Sequence, residues 1–259
     1  MMNTVKNGVN YGIMTAITYK SETTGTVRKA NILLPAGYSA ERKYPVLYLL
    51  HGIGGDENEW LAANPRELIG NLIASGEAEE MVVVIPNVRA RADDGGNPSD
   101  IFSLPHFQAF DNFINDLQKD LIPYIKEHYS IADGREYTAI AGLSMGGRES
   151  LYIGLVLPDV FGYIGAFSPA FGLLPYSNNG VSEVGLFTEE TLKLLDGYSS
   201  YIMILTGDND TVVNDEAMRY HKALSNNGVD HIFSITKGGH DFKVWSEGLY
   251  YFSKNIFRI

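Results

Sequence analysis

The sequence predicts an α/β protein whose central sheet is mostly parallel and covered by helices on both faces. Short runs of aliphatic and β-branched residues alternate with segments of helical periodicity along most of the chain. Two of these runs, 45–50 and 81–86, are apolar throughout, as expected of strands that are buried on both faces. A length of 259 residues suits a single domain with one large core, so we expect one domain over residues 1–259.

The predicted elements follow one another in a regular order. Residues 12–20 and 26–34 are predicted to form an antiparallel pair at the sheet edge, before the two buried strands. A helical stripe covers 111–127, and Pro123 within it removes a backbone donor, so we expect a kink in the last turns. The remaining predicted strands are 137–143, 163–167, 201–206 and 231–236, and the remaining predicted helices are 145–157, 188–195, 215–227 and 242–257. Such alternation predicts right-handed crossovers between parallel strands.

The composition excludes several classes of function. Twenty Lys and Arg against 31 Asp and Glu give a formal charge of −11, which repels phosphate backbones and anionic membranes, so we expect no nucleic-acid partner. The absence of cysteine removes disulfides, thiolate metal sites and cysteine nucleophiles together. The longest uncharged stretch, 160–182, is interrupted by prolines and glycines, so we expect no membrane span. No zinc or dinucleotide-binding pattern occurs, and we expect neither a metal nor an organic cofactor.

The N-terminal ten residues lack the apolar core and the small-residue cleavage site of a secretory signal. This favours a cytoplasmic location, and a secreted protein trimmed of its leader would have the same sequence. The sequence carries no signal that decides the oligomeric state.

One motif carries the strongest functional signal. Residues 142–146 read Gly-Leu-Ser-Met-Gly, the G-x-S-x-G pattern of a nucleophile elbow, in which small flanking residues permit a strained turn that lifts the serine above the sheet. In a chain with 27 glycines the pattern alone arises easily by chance. Here an apolar strand leads into it and a helix leads out of it, which is the context the elbow requires. We therefore predict that Ser144 is the nucleophile of a serine hydrolase with the α/β-hydrolase fold.

A second motif, His-Gly-Ile-Gly-Gly at 51–55, follows the third predicted strand. In α/β hydrolases the loop at this place supplies one N–H group of the oxyanion hole, and the residue after the nucleophile supplies the other. Ile53 and Met145 are the candidate donors, with Gly52 or Gly54 as alternatives to Ile53. We expect the histidine that opens the motif to support the loop rather than to react.

A serine nucleophile needs a base and an orienting acid, which follow it in this fold in the order acid, then base. His240 is the candidate base, because it lies in a late loop after a strand and two glycines precede it. The acid should follow strand 201–206, where Asp208 and Asp210 are both candidates. We favour Asp210, because the other aspartate is able to cap the turn. Four further histidines are expected at the surface, namely His106, His128, His221 and His231.

Three segments, 51–60, 139–147 and 238–245, together resemble the feruloyl esterases of carbohydrate esterase family 1, which are related to the esterase D group. The likeness extends from about residue 13 to residue 256, with the motifs in the expected order. In that family the catalytic acid lies in a segment of the form G-x-N-D-[ST], so the resemblance assigns Asp210. The additional acid at position 208 departs from the pattern.

The resemblance implies hydrolysis of the esters that join ferulic or p-coumaric acid to arabinose on xylan, so that the partner is a small-molecule or oligosaccharide ester. A flat aromatic acid predicts an apolar, aromatic pocket with one polar contact for the phenol. Trp60, Phe171 and Trp245 are candidates for its walls, although aromatic residues more often belong to the core. The alternatives are an acetylxylan esterase, a small-acyl esterase like S-formylglutathione hydrolase, and an inactive relative that binds carbohydrate or a protein partner.

Overall fold

A computed structural model describes residues 2–178 and 181–258 and places eight strands in one sheet. Within that sheet the two pairs nearest one edge are antiparallel, and the remaining pairs are parallel. The fold class predicted from the sequence is therefore confirmed. The strands are β1 (Ile13–Ser21), β2 (Thr26–Leu34), β3 (Val46–Leu50), β4 (Val82–Pro86), β5 (Thr138–Leu143), β6 (Tyr163–Phe167), β9 (Tyr201–Gly207) and β10 (Ile232–Thr236), and a separate hairpin consists of β7 (Tyr176–Asn178) and β8 (Val181–Glu183).

The order of the strands across the sheet is β1-β2-β4-β3-β5-β6-β9-β10. The strand β5 thus lies between β3 and β6, and all strands from β4 to β10 in this order run parallel. Parallel strands present their carboxyl ends at one edge of the sheet, where ligands bind in open α/β folds. The loops after β3, β5, β9 and β10 therefore meet at this edge.

Helices cover both faces of the sheet, as predicted. Alternate residues of β3 enter two different apolar cores, with Val46 and Tyr48 on one face and Leu47 and Leu49 on the other. The first core also takes residues of α2 to α6, and the second takes residues of α1 and α7. The helices are α1 (Pro65–Ala74), α2 (Leu104–Asp111), α3 (Phe113–Asp116), α4 (Ile122–His128), α5 (Met145–Val156), α6 (Glu216–Asn226) and α7 (Phe242–Asn255).

The helix predicted over 111–127 is present but interrupted. Between α3 and α4 the chain forms a π-helical turn, Leu117–Leu121, directly before Pro123 in the first turn of α4. A proline inside a helix lacks a donor and pushes against the preceding turn, and a wider turn relieves both problems. The irregularity expected at the proline is therefore a change of helix type one turn before it.

Two helices were missed and one prediction was wrong. The helices α1 and α2 were not predicted, although Ser103 caps α2 by accepting the His106 amide. The helix predicted over 188–195 is absent: these residues form a turn and irregular backbone. One helical turn closes with the Leu192 amide on the Thr188 carbonyl at 3.1 Å, but the Lys193 amide then bonds to the Thr191 carbonyl at 2.9 Å, so that the helix does not continue. No helix within the described ranges is both long and apolar enough to cross a membrane.

A buried ion pair and its hydrogen bonds connect the antiparallel strands to the loop after β4, at the edge where the carboxyl ends of the parallel strands lie. Arg28 of β2 is fully buried and lies 3.2 Å from the carboxylate of Asp116, which also accepts the Tyr19 hydroxyl at 2.6 Å. The same guanidinium donates to the backbone oxygens of Asn87 and Arg89, in the loop after β4. Burial raises the pKa of Asp116, and the charge of Arg28 opposes that effect. Arg28 thus pairs with the carboxylate of Asp116 in α3 and also donates hydrogen bonds to two backbone oxygens of the loop after β4.

We expect Arg28→Met to lower the free energy of unfolding by about 3–5 kcal/mol, because it leaves Asp116 charged and buried without its cation. Urea denaturation measures this change. The control is Arg42→Met, which removes an exposed pair with Glu80 and should cost less than about 1 kcal/mol. Equal losses of unfolding free energy in the two variants would show that the buried ion pair stabilises the fold no more than the exposed pair does.

Candidate active site

The turn between β5 and α5 has the strained geometry expected of a nucleophile elbow. Ser144 has φ 52° and ψ −117°, a conformation that non-glycine residues rarely adopt. The two glycines of the motif touch: a methyl group added to Gly142 would collide with the backbone of Gly146. A methyl group on Gly146 would in turn lie 2.5 Å from the carbonyl oxygen of His51. The small residues predicted to permit the turn are therefore required on steric grounds.

The structure brings three of the predicted residues into one hydrogen-bonded row. His240 Nε2 lies 2.9 Å from the hydroxyl of Ser144, and His240 Nδ1 lies 2.8 Å from Asp210 Oδ2. The other carboxylate oxygen of Asp210 accepts the backbone amides of Val212 and Val213 at 3.1 and 3.3 Å. With Nδ1 protonated and bound to the carboxylate, Nε2 is left to accept a proton from the serine.

Asp210 and Asp208 have different environments. Burial tends to raise the pKa of Asp210, but the hydrogen bond and the charge of His240 lower it, and the net pKa lies below its ordinary value. Asp210 is therefore a carboxylate at neutral pH. Asp208 is exposed, and its Oδ1 accepts the amide of Gly238 at 3.0 Å. It caps the loop that carries the histidine, and not its own turn, and it does not contact His240.

The two tryptophans predicted to line the pocket are both buried. Trp60 is fully buried, and its indole N–H donates to the carbonyl of Leu50 at 2.8 Å, so the expectation that it contacts substrate is wrong. Trp245 is 8% exposed and packs edge-on against His240, with 5.0 Å between the ring centroids. Its position limits the rotation of the imidazole. Tertiary packing decides where both side chains lie, and the local sequence does not indicate it.

The loop 51–55 borders the nucleophile, because a methyl group on Gly52 would lie 3.5 Å from Ser144 Cβ. The amide of Gly52 donates to Glu59 Oε2 at 2.6 Å and is therefore unavailable to a substrate. Its carbonyl accepts a hydrogen bond from His51 Nδ1 at 2.7 Å. In a trans peptide the following N–H points away from that carbonyl, so His51 directs the Ile53 amide to the opposite side. Among the described residues, the Ile53 amide has no acceptor within the protein.

Met145, the other candidate donor, is the first residue of α5. The amides of a helix's first turn have no partner in the helix, and they carry the positive end of its dipole. The amide of Ser144, one residue earlier, is already used by the carbonyl of Phe167 at 2.8 Å. The amides of Ile53 and Met145 therefore stay the candidates for binding a developing negative charge. The Gly52 amide is removed from the alternatives, and the Gly54 amide stays one.

Two buried histidines support this loop. His51 is fully buried, and its Nε2 accepts the Val88 amide at 2.8 Å, as suits the supporting role predicted for it. Burial lowers the pKa of His51 to about 4, so the ring is neutral. His106 was expected at the surface, which is wrong: it is fully buried and donates from Nε2 to the carbonyl of Ile53 at 2.7 Å. His128 is exposed, whereas the half-buried His221 and His231 hydrogen-bond to each other at 2.8 Å.

Arg89 and Glu59 are site residues that sequence reasoning missed. Arg89 is buried and donates to the carbonyl of Gly55. This bond holds the loop 51–55 against the segment that follows β4. Glu59 lies within the segment that carries the family resemblance, and its spacing from Gly52 was the available signal. No local pattern pointed to Arg89, because its acceptor is 34 residues away in the chain.

Phe171, the remaining candidate for the pocket, is half-buried. Its ring packs against those of Phe107 and Tyr176, with centroids 5.8 and 4.9 Å away. Behind it, Arg148 is buried, donates to Asp111 at 2.5 Å and approaches the carbonyl of Gly172 at 3.4 Å. Phe171 also borders a cavity of about 340 Å³ that is lined by Pro175, Tyr176, Val212, Val213, Asn214 and Arg219.

The fold and the Ser–His–Asp row together define the α/β-hydrolase class. Within that class the chain belongs to the Esterase family, whose model matches residues 21–253. A ferulic acid esterase of carbohydrate esterase family 1 from Anaeromyces mucronatus is 39% identical and has a TM-score of 0.90, with 99% of this chain and 94% of that chain covered. Its complex with ferulic acid gives a TM-score of 0.92. The predicted resemblance to this family is therefore confirmed.

Curated relatives are longer than this chain. The endo-1,4-β-xylanase/feruloyl esterase of Xylanibacter ruminicola is 30% identical over 98% of this chain, and the chain spans 32% of its length. The endo-1,4-β-xylanase Y of Acetivibrio thermocellus is 28% identical over 59% of this chain, which spans 14% of that protein. The chain thus corresponds to one part of each of these proteins.

We expect Gly146→Ala to lower the free energy of unfolding by about 1–3 kcal/mol, because its methyl group meets the carbonyl oxygens of Leu50 and His51, which cannot move independently of β3. The exposed Gly95 has nothing within 4 Å of the added methyl, so Gly95→Ala should change stability by no more than about 0.5 kcal/mol. Urea unfolding of both variants measures the difference. An unchanged midpoint for Gly146→Ala would show that the contact is not tight.

Proposed function

We propose that this protein is a serine esterase that hydrolyses hydroxycinnamate esters, such as those of ferulate and p-coumarate on arabinoxylan or its oligosaccharides. The observation that carries the proposal is the continuous row from the Ser144 hydroxyl through His240 to Asp210, with bonds of 2.9 and 2.8 Å. Beside this row lie two backbone amides that the fold leaves without acceptors. Such an arrangement performs acyl transfer through a covalent intermediate.

The reaction has two halves. His240 takes the proton of Ser144 as the serine oxygen attacks the ester carbonyl, and Asp210 holds the Nδ1–H tautomer and stabilises the positive ring. The amides of Ile53 and Met145 bind the oxyanion, and each donor of this kind is worth about 10²–10³ in rate. The C–O bond to the alcohol then breaks, and the alcohol leaves with the proton from His240. Water, deprotonated by the same histidine, hydrolyses the acyl-enzyme and restores the serine.

The aromatic cluster around Phe171 supports a flat acyl group. Phe107, Phe171 and Tyr176 present ring faces and edges at half-buried positions, which favours an aromatic acid over an acetyl group. The similar esterase from Anaeromyces mucronatus has been solved with ferulic acid, which adds support for the same acid here. The relative from Xylanibacter ruminicola, which is also a xylanase, supports a xylan-derived alcohol. The acidic surface argues against polyanionic substrates.

The first test is turnover of methyl ferulate beside p-nitrophenyl acetate. We expect the wild-type protein to prefer methyl ferulate in kcat/KM, and Ser144→Ala to lose about 10⁶-fold in kcat on both esters while it keeps its fold. Circular dichroism checks the fold of the variant. Serine-dependent activity on the acetate alone would keep the hydrolase and reject the hydroxycinnamate assignment.

A second test distinguishes Asp210 from Asp208 as the acid that orients His240. Asp210→Asn should lower kcat about 10⁴-fold, because an amide no longer holds the productive tautomer of His240. Asp208→Asn is the matched control: it keeps an oxygen for the Gly238 amide and should change kcat no more than about threefold, since mutations away from the reacting groups leave the transition state unaffected. The reverse order of effects would assign the acid to position 208.

A further inference from the structure

Glu59 packs against the loop 51–55, called the oxyanion loop below because it carries the candidate donor Ile53. It begins a short 3-10 turn, Glu59–Ala63, and its side chain reaches back to accept the Gly52 amide at 2.6 Å. A methyl group on Gly55 would lie 2.6 Å from the Glu59 carboxyl carbon, so that glycine leaves the space the side chain occupies. The half-buried carboxylate is thus held against the loop.

Glu59 and His51 together decide which amide of the loop faces the nucleophile. Glu59 accepts the N–H of Gly52 and His51 donates to its C=O, so both polar groups of this residue are held by side chains. A flip of either adjoining peptide would break one of these bonds. The Gly52 amide is therefore kept out of the site, and the Ile53 amide is presented to it.

The charge of Glu59 strengthens its contact with the loop. Burial raises the pKa of Glu59, and the hydrogen bond from the Gly52 amide opposes that effect. A hydrogen bond to an ionised carboxylate is about twice as strong as one to a neutral acceptor. The carboxylate therefore holds the Gly52 amide more firmly than a neutral side chain would.

We propose that Glu59 is a positioning residue of this site: its carboxylate binds the Gly52 amide and holds the oxyanion loop with the Ile53 amide toward the substrate. The inference rests on the proposed serine esterase function. It assigns to Glu59 a role that is separate from that of Asp210, because Asp210 contacts the imidazole directly and Glu59 acts through the loop.

The test uses three variants and methyl ferulate, with kcat and KM measured separately. Glu59→Ala removes both the acceptor and the charge, and we expect kcat to fall about 10²–10³-fold, as for the loss of one oxyanion donor. Glu59→Gln keeps an oxygen that can accept the Gly52 amide but loses the charge, and we expect a smaller fall, about tenfold. In both variants KM should stay within about twofold, because the oxyanion donor acts on the transition state.

Glu59→Asp completes the set, because it keeps the charge but shortens the side chain and draws the carboxylate away from the Gly52 amide. We expect kcat to fall to between the values for Glu59→Gln and Glu59→Ala, and this variant replaces Glu59→Gln if the latter does not fold. Glu77→Gln is the control: it removes an exposed carboxylate that pairs with Lys254 and should leave kcat and KM unchanged.

Wild-type kcat in a folded Glu59→Ala variant, or a change confined to KM, would overturn the inference, and so would a fall in kcat that the control shares. None of these results would affect the proposed function, provided that wild-type turnover still requires Ser144. Loss of Ser144 dependence in the wild-type protein would instead reject the function itself. The two failures are therefore distinguishable.

Discussion

The close contact between the nucleophile elbow and the end of β3 is the constraint on which the rest of the site depends. The strands β3 and β5 pair in register, with Leu50 opposite Gly142, so the elbow and the oxyanion loop leave the sheet at the same level. Gly146 then packs against the carbonyls of Leu50 and His51. Because backbone meets backbone here, the nucleophile and the oxyanion amides share one rigid support, which is what electrostatic preorganisation requires.

Buried polar side chains fix the conformation of the loops around this support. Arg28, Arg89, His51 and His106 all donate to backbone carbonyls of loops at the catalytic edge, and Glu59 accepts an amide there. Burial of such groups is costly unless hydrogen bonds compensate it, so each contact ties the loop conformation to the stability of the fold. The neutral state of His51 follows from the same burial.

The acid of the row also contacts the wall of the cavity beside Phe171. One oxygen of Asp210 orients His240, and the other accepts the amides of Val212 and Val213, which line that cavity. The same carboxylate therefore fixes both the imidazole and part of the cavity wall. Asp208 has a different part in the same region: it joins the loop after β9 to the loop that carries His240.

The sequence by itself determined the fold class, the strand order along the chain, and the serine and histidine of the row. These features depend on local signals: apolar periodicity, a glycine-flanked serine between a strand and a helix, and a glycine-rich loop late in the chain. The sequence also favoured Asp210 over Asp208, and the tertiary structure places Asp210 against His240. Only the tertiary structure buried Trp60 and His106 and brought Glu59 to Gly52. It also replaced the helix expected at 188–195 with turns. Local patterns report what the backbone prefers, but the partner that a side chain meets across 7, 30 or 53 residues is decided by packing alone.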